Sequence, residues 1–238
     1  MNKIISTYDR IFMAVVGPSG SGKTQLIFKM LVGNTFYPKF DNMIFFYKEF
    51  QPLYSQMKNK LPISFVRFTN LEFISELENS LIIFDDSCEE IYNDPQFVQL
   101  ATAGRHKSLN VIYVKHNLYQ QSKYSRTIDL NTSHIILFKS PRDVQQVNYL
   151  GRQLSLKNFL NSAYQIAVKD TFGHLLIDLD PKTSDCLRYC SNITPPGPTV
   201  FYLTRDDADI TPLTNEREKT IYATAHSAPL PQLSSKKD

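Results

Sequence analysis

The chain has 238 residues, of which 42% are hydrophobic and 21% are charged, and its formal net charge is +3. These proportions are ordinary for a globular protein and predict one α/β domain with a substantial core. No apolar run approaches the roughly 18 residues of a membrane-spanning helix, and residues 1–6 lack the apolar core of a signal peptide. Three cysteines, an odd number, argue against a disulfide framework. We therefore expect an intracellular protein without a membrane segment.

The first predicted elements are a strand, a glycine-rich loop and a helix. Residues 11–16 are apolar and partly β-branched, which predicts a buried strand, and residues 25–32 have the apolar positions of a packed helix. Between them the sequence GPSGSGKT at residues 17–24 matches the phosphate-binding pattern GxxxxGK[ST] in its required setting. The alternative is a turn that only connects a strand to a helix.

Such a loop binds phosphates through its backbone N–H groups and the helix N-terminus. In this pattern Lys23 contacts the β- and γ-phosphates, and the Thr24 hydroxyl is a Mg²⁺ ligand. The predicted nucleotide-binding residues are Gly17, Pro18, Ser19, Gly20, Ser21, Gly22, Lys23, Thr24 and Gln25.

The next elements lead to a pair of acids. Strands are predicted at 43–47 and 64–68, and a helix at 71–78. The apolar run at 80–84 continues into Asp85 and Asp86. In a Walker B strand we expect Asp85 to hold Mg²⁺ and Asp86 to act as the general base that polarises the attacking water. On their own, two acids at this position would be better explained as the end of a strand that exits to a loop; the phosphate loop about 60 residues earlier favours the Walker B interpretation.

A further strand at 110–115 ends in His116 and Asn117. Each is a candidate for contact with the γ-phosphate or the attacking water, and each is equally well explained as an ordinary loop residue. A strand is predicted at 133–138, followed by a helix that opens at Ser140 as its cap.

The last predicted elements are a helix at 155–169 and strands at 174–179 and 199–203. Residues 170–173 match the DxxG of GTPases, but no NKxD follows and we assign them no role. From Arg205 onward the chain is polar and proline-containing, which is typical of a flexible tail. The predicted organisation is an ATPase domain at 1–204 and a tail at 205–238.

The positive charge is concentrated in residues 104–157, which hold nine basic and two acidic residues. Such a run is often only a solvated face, but a basic surface also binds a phosphate backbone without reading sequence. Two of its arginines, Arg105 and Arg126, are candidates for the arginine that stabilises charge on the transferred phosphoryl group. DNA contact or a surface ion pair is the alternative for each.

Taken in order, these motifs resemble a known family. The segments GPSGSGKT, LIIFDD, GRHKSLNVIYVKHN, SRTIDLNTSHIILFKSPRDVQQVNYLGRQ and HLLIDLDPKTSD, over roughly residues 10–203, are similar to genome-packaging ATPases of Polinton-type elements and double-stranded DNA viruses. These ATPases, which include the poxvirus-like enzyme, belong to the FtsK–HerA branch of P-loop ATPases.

The resemblance implies a RecA-like three-layer sandwich with a mostly parallel central sheet, assembled as a pentameric or hexameric ring. It implies ATP with Mg²⁺ as cofactors, double-stranded DNA as substrate, and a capsid vertex or portal protein as a further partner. The implied location is a viral assembly site in the host nucleus or cytoplasm, or the virion. His116 stands where relatives often carry a glutamine sensor, so Asn117 is the substitute candidate. Either Arg105 or Arg126 would act on a neighbouring subunit.

Two other functions fit the loop. The loop sequence GPSGSGK also resembles that of guanylate kinase, which would make the chain a nucleotide kinase. It also fits a nucleotide-gated DNA-binding module that hydrolyses too slowly to do work. Transfer of phosphate to a nucleoside monophosphate would identify the kinase, and DNA-stimulated turnover would argue against the gated module.

Overall fold

The computed structural model describes residues 3–33, 35–69, 71, 77–204 and 210–212. The strands are β1 (Ile5–Ser6), β2 (Phe12–Val16), β3 (Phe36–Tyr37), β4 (Asn42–Tyr47), β5 (Ile63–Arg67), β6 (Ser80–Phe84), β7 (Asn110–Lys115), β8 (His134–Phe138), β9 (His174–Asp178), β10 (Tyr189–Ser191), β11 (Val200–Thr204) and β12 (Ile210–Pro212). The helices are α1 (Lys23–Val32), α2 (Pro52–Lys60), α3 (Cys88–Asn93), α4 (Pro95–Ala103), α5 (Ser125–Leu130), α6 (Val144–Gln153) and α7 (Lys157–Ala167). None of the helices in this part of the chain is long and apolar enough to cross a bilayer.

A ten-stranded sheet forms the centre of the molecule, in the order β12-β11-β10-β9-β8-β2-β7-β6-β4-β5. The six neighbouring strands β8, β2, β7, β6, β4 and β5 pair in parallel. The strands β9 to β12 follow on the other side of β8, and each pairs antiparallel with its neighbour. The two short strands β1 and β3 form a separate parallel pair. The predicted mostly parallel sheet is confirmed, and β9, the first of its late strands, pairs antiparallel with β8.

Two hydrophobic cores, one on each face of the sheet, make the fold a three-layer sandwich. In β2 all five residues are buried, and successive side chains alternate between the faces. Phe12 and Ala14 pack in the core that includes residues of α3 to α7. Met13 and Val15 pack in the core that includes residues of α1 and α2. Continuous apolar runs such as that in β2 are what a parallel strand covered on both faces requires.

Most predicted elements are present with ends shifted by one or two residues. The helix predicted to open at Ser140 is an exception because it begins at Val144; Ser140 and Pro141 lie in a turn, where the Ser140 hydroxyl donates to the Asp143 carboxylate at 2.8 Å. The helix predicted at 71–78 falls largely outside the described residues. So does most of the predicted tail, although residues 210–212 pair with β11.

Candidate active site

The parallel strands bring the predicted site residues to one edge of the sheet. Side chains that follow the carboxyl ends of neighbouring parallel strands meet at the same edge. β2 ends directly before Gly17, β6 before Asp85 and β7 before His116. The register pairs Val16 with Lys115, and the Gly17 N–H donates to the Lys115 carbonyl at 3.1 Å. The glycine loop, the two acids and His116 therefore surround one site.

Three glycines give the loop its shape. Gly20 and Gly22 have φ angles of +75° and +94°, a region that residues with a Cβ rarely adopt. Gly17 is required for a different reason, since a Cβ there would lie 2.7 Å from the Cβ of Phe138 and 2.9 Å from Ser21 Oγ. Gly22 is also the N-cap of α1, so the loop leads directly into the N-terminus of that helix.

The Lys23 ammonium is buried under the loop. Its Nζ donates to the carbonyl oxygens of Gly17 and Pro18, both at 2.8 Å. Burial lowers the pKa of Lys23, and the nearby carboxylates of Asp85 and Asp86 oppose that shift. Ser19 and Gln25 are exposed at the rim of the site. The Ser21 hydroxyl is buried and has no hydrogen-bond partner among the described residues.

Asp85 is buried and accepts two hydroxyl donors on one oxygen. Thr24 Oγ1 donates to Asp85 Oδ2 at 2.9 Å, and the Tyr54 hydroxyl donates to the same oxygen at 3.0 Å. Burial, followed by repulsion from Asp86, raises the pKa of Asp85, while the two hydrogen bonds and Lys23 oppose the shift. An adjacent hydroxyl and carboxylate are the oxygen ligands that Mg²⁺ takes in phosphate-binding sites, so Thr24 and Asp85 fit this ion.

Asp86 is the exposed member of the pair. Its backbone is left-handed, with φ +55°, which turns its side chain out of the line of β6. Asp86 Oδ1 lies 3.7 Å from His116 Nε2, and Asp86 Oδ2 accepts a hydrogen bond from Gln51 Nε2 at 3.4 Å. Asn117 is exposed beside His116. One acid is therefore held against the Thr24 hydroxyl and the other faces solvent and His116.

The two candidate arginines lie elsewhere in the chain. Arg105 is exposed in a 3₁₀ turn (Gly104–Lys107) that precedes β7. It therefore lies at the amino-terminal ends of the parallel strands, whereas the glycine loop lies at their carboxyl ends. Its neighbour there is Arg10, which precedes β2 and donates to the Ala101 carbonyl at 2.6 Å. Burial, followed by repulsion from Arg105, lowers the pKa of Arg10 to about 10. Arg126 is exposed on α5. The structure therefore does not bring Arg105 to the phosphate loop of its own chain.

One residue of the basic segment 104–157 belongs to the core. Lys115 is 1% exposed, and its Nζ donates to the Leu118 carbonyl at 2.8 Å and to Asp129 Oδ1 at 2.9 Å. It also lies over the Tyr92 ring. The exposed basic residues of the segment are Arg105, Lys107, Lys123, Arg126, Lys139, Arg142 and Arg152. A surface for a polyanion would have to be formed by these residues, without Lys115.

Two site residues were not predicted from the sequence. Tyr54 in the first turn of α2 bonds Asp85, and Gln51 just before that helix bonds Asp86. Both come from a segment between β4 and β5 that carries no known motif. The proline at the start of α2 is a helix-start signal, and it could have placed Gln51 and Tyr54 near a strand end.

A cavity of about 600 Å³ lies at the opposite edge of the sheet and contains none of the predicted site residues. Its floor includes a buried cluster in which Lys3 Nζ donates to Asp178 Oδ2 at 2.9 Å and His134 Nε2 lies 3.6 Å from Asp178 Oδ1. We assign this cluster to stability, because it joins the start of the described chain to β8 and β9.

The structure is similar in fold to solved structures of viral genome-packaging NTPases. No protein-family model matches the sequence, and neither does any curated protein. The structure is similar to the genome-packaging NTPase B204 of Sulfolobus turreted icosahedral virus 2 in complex with sulfate, at 14% identity and a TM-score of 0.51 over 73% of this chain and 94% of that one. It is similar to the same NTPase in complex with AMPPCP, at 13% identity and a TM-score of 0.50 over 73% and 95%. The DNA-packaging ATPase B204 of Sulfolobus turreted icosahedral virus matches at 13% identity and a TM-score of 0.50 over 77% and 96%.

At these identities the similarity establishes the fold alone. The chain has the three-layer α/β fold of P-loop NTPases, and its structural neighbours include viral genome-packaging NTPases. The resemblance indicated by the sequence is therefore confirmed at the level of the fold.

Proposed function

We propose that the protein is an ATP-hydrolysing motor that translocates double-stranded DNA and packages a viral genome into a preformed capsid. The observation that carries the proposal is the placement of Thr24, Asp85 and Asp86. One carboxylate is held at 2.9 Å from the hydroxyl that follows the phosphate-loop lysine, and the next carboxylate is exposed beside Gln51 and His116. A P-loop hydrolase uses one acid to hold Mg²⁺ and a second polar residue to position the attacking water, and these two carboxylates are placed for those two tasks.

Each residue of the site has a distinct role in this proposal. The loop N–H groups and Lys23 bind the phosphates of ATP, while Thr24 and Asp85 would hold Mg²⁺. Bound Mg²⁺ would neutralise charge that develops on the phosphates. Asp86 orients the attacking water and accepts its proton, and His116 or Asn117 contacts the water or the γ-phosphate. Because phosphoryl transfer depends mostly on positioning and charge stabilisation, this set is sufficient for one subunit.

The proposal assigns the arginine to a neighbouring subunit. Since Arg105 lies at the sheet edge opposite its own loop, it could act only on another copy of the chain. An arginine that acts on another copy requires assembly of several copies, and we propose a pentameric or hexameric ring. Arg126 on α5 is the other candidate. The exposed basic residues of segment 104–157 would contact the DNA backbone without reading its sequence. A capsid vertex or portal protein is the proposed docking partner, at the site of viral assembly.

Steady-state ATP hydrolysis with and without long duplex DNA tests the function. We expect DNA to raise turnover and added salt to weaken that stimulation, because backbone contacts release counterions. Turnover that is the same with and without DNA at low salt would contradict the motor and favour the gated module. Phosphate transfer to an added nucleoside monophosphate would instead identify a kinase.

Two variants separate binding from chemistry. Lys23→Ala should abolish nucleotide binding, whereas Asp86→Asn should bind ATP normally and lose at least about 100-fold in turnover, the usual scale for a catalytic acid or base. Glu78→Gln removes an exposed carboxylate from the other end of β6 and should leave turnover unchanged. Normal turnover in Asp86→Asn would move the base to another acid, such as Glu89 or Glu90.

A further inference from the structure

An exposed aromatic side chain packs against the phosphate loop. Phe172 is 63% exposed, yet its ring reaches the loop, because a Cβ built on Gly22 would lie 3.0 Å from Phe172 Cδ1. Gly22 is the N-cap of α1 and directly precedes Lys23. The ring therefore touches the backbone that leads into the phosphate-binding helix, while much of its surface remains free.

The turn that carries Phe172 is fixed by backbone contacts on both sides of this residue. Its backbone is left-handed at Phe172, with φ +64°, a conformation that is uncommon for a bulky residue and persists only where the surroundings hold it. The Gly173 N–H donates to the Asp170 carbonyl at 3.0 Å. A Cβ at Gly173 would lie 2.5 Å from the Ala167 carbonyl oxygen, so only glycine fits there.

His174 holds the same turn from below. Its Nδ1 lies 3.2 Å from the Phe172 carbonyl oxygen, and its ring packs against Phe138, with centroids 5.4 Å apart. Burial lowers the pKa of His174, and the nearby Lys29 adds to the shift against the opposing effect of the bond to Phe172. The imidazole is therefore neutral at pH 7, and its Nδ1–H donates to the carbonyl that fixes the Phe172 backbone.

The turn lies on the side of the loop away from the acids. β9 is antiparallel to β8, so its first residue, His174, pairs with Phe138 at the end of β8. β8 in turn flanks β2 on the side opposite β7 and β6. In the proposed function, a triphosphate held by the loop would direct its γ-phosphate toward Asp85 and Asp86. The nucleoside would therefore lie on another side of the loop. The exposed Phe172 ring lies beside the start of α1.

We infer that the Phe172 ring forms one wall of the subsite for the nucleobase of the bound nucleoside triphosphate. This inference rests on the proposed nucleotide-binding function and deepens it. An aromatic ring with an exposed face can stack on any nucleobase, and a turn already fixed by backbone contacts lowers the cost of ordering the ring on binding. Phe172 thus adds base affinity to a loop that binds only phosphates.

The test compares two ligands that share the phosphates and differ in the base. Isothermal titration in the presence of Mg²⁺ would measure the Kd of the non-hydrolysable ATP analogue AMPPCP and of inorganic tripolyphosphate. We expect Phe172→Ala to weaken AMPPCP about tenfold, which corresponds to about 1.4 kcal/mol, and to leave tripolyphosphate within about twofold. Phe172→Tyr should keep the wild-type affinity for both.

Tyr8→Ala is the matched control, because Tyr8 is 78% exposed and lines the cavity at the opposite edge of the sheet. Unchanged AMPPCP affinity in Phe172→Ala would overturn the inference while leaving the proposed function intact. Equal weakening of both ligands would also overturn it, since the ring would then only support the loop. A wild-type chain that binds neither ligand would refute the proposed function and the inference together.

Discussion

Two hydroxyl groups favour the ionised form of the Asp85 carboxylate. Burial and the adjacent Asp86 raise its pKa, and the hydrogen bonds from Thr24 and Tyr54 oppose that shift. A hydrogen bond to a charged group typically contributes about 1.5–3 kcal/mol. Tyr54 is thus a positioning residue, since it acts on the proposed reaction only through the charge and orientation of Asp85.

Removing the Tyr54 hydroxyl should therefore shift the pH dependence of hydrolysis. In Tyr54→Phe the carboxylate loses a donor that lowers its pKa, so the pKa of Asp85 rises further. Less of Asp85 is ionised at a given acidic pH, and the acid limb of the kcat/KM profile should move to higher pH. Tyr47→Phe, in the same aromatic cluster, is the control and should leave the limb in place. An unmoved limb in Tyr54→Phe would show that Asp85 does not depend on this bond.

The sequence could identify only those site residues that lie in local patterns. Thr24, Asp85 and His116 each follow an apolar run or a glycine loop, and parallel strands bring such positions together. Their catalytic roles remain predictions. Tyr54, Gln51 and Phe172 reach the site from segments far away in the chain, through helix packing and an antiparallel strand. The proline at the start of α2 could have placed Gln51 and Tyr54 near a strand end, but no local pattern encodes which side chains they contact.

Among the elements, β2 and β8 approach so closely at their ends that a glycine is required between them. A Cβ at Gly17 would meet Phe138 on β8 at 2.7 Å, and that contact is to the Cβ of the neighbouring residue rather than to a flexible tip. Overpacking of this kind typically costs about 1–3 kcal/mol. The position of the phosphate loop therefore depends on how these two strands pack.

We expect Gly17→Ala to lower the free energy of unfolding by about 1–3 kcal/mol and to weaken nucleotide binding. Urea denaturation and titration with AMPPCP would measure the two effects. Gly197→Ala is the matched control, because a Cβ there meets nothing within 4 Å, and it should change stability by less than about 0.5 kcal/mol. Equal stability of the two variants would mean that the strand ends separate without cost.

Long apolar runs predicted the central strands well, whereas the helices α2, α3, α4 and α5 were not predicted. β2, β6, β7 and β8 are buried on both faces, so each is a nearly uninterrupted apolar stretch. By contrast, α3 and α5 have six residues each, fewer than two full turns, and such a length cannot establish a helical period. Ser140 shows the limit of cap signals, since its hydroxyl caps a turn instead of a helix.

Across the whole molecule, the first described residue is tied to one of the last strands. The Lys3 ammonium is bonded to Asp178 at the end of β9, and both side chains are less than 10% exposed. Burial opposes ionisation of Asp178, but His134 and Lys3 outweigh it and hold the pKa of this carboxyl below its usual range. The pair therefore helps to hold the N-terminal segment against the antiparallel side of the sheet.

Asp178→Asn should destabilise the fold by about 3 kcal/mol, because it leaves a buried ammonium without a counter-charge. Urea denaturation would measure the loss, and the double variant Lys3→Met with Asp178→Asn should recover most of it. An Asp178→Asn chain that unfolds at the wild-type urea concentration would show that the pair adds nothing to stability.

The stability lost in Asp178→Asn should also increase as the pH is lowered. Burial lowers the pKa of His134 below its ordinary 6.5, and Asp178 opposes that shift. Below pH 6.5 the unfolded chain therefore binds more protons at this site than the folded chain, and stability falls as the pH falls. Asp178→Asn removes the opposing carboxylate and widens the gap between the two pKa values. The stability difference from wild type should then increase between pH 7.5 and pH 5, and a difference independent of pH would contradict the coupling of His134 to Asp178.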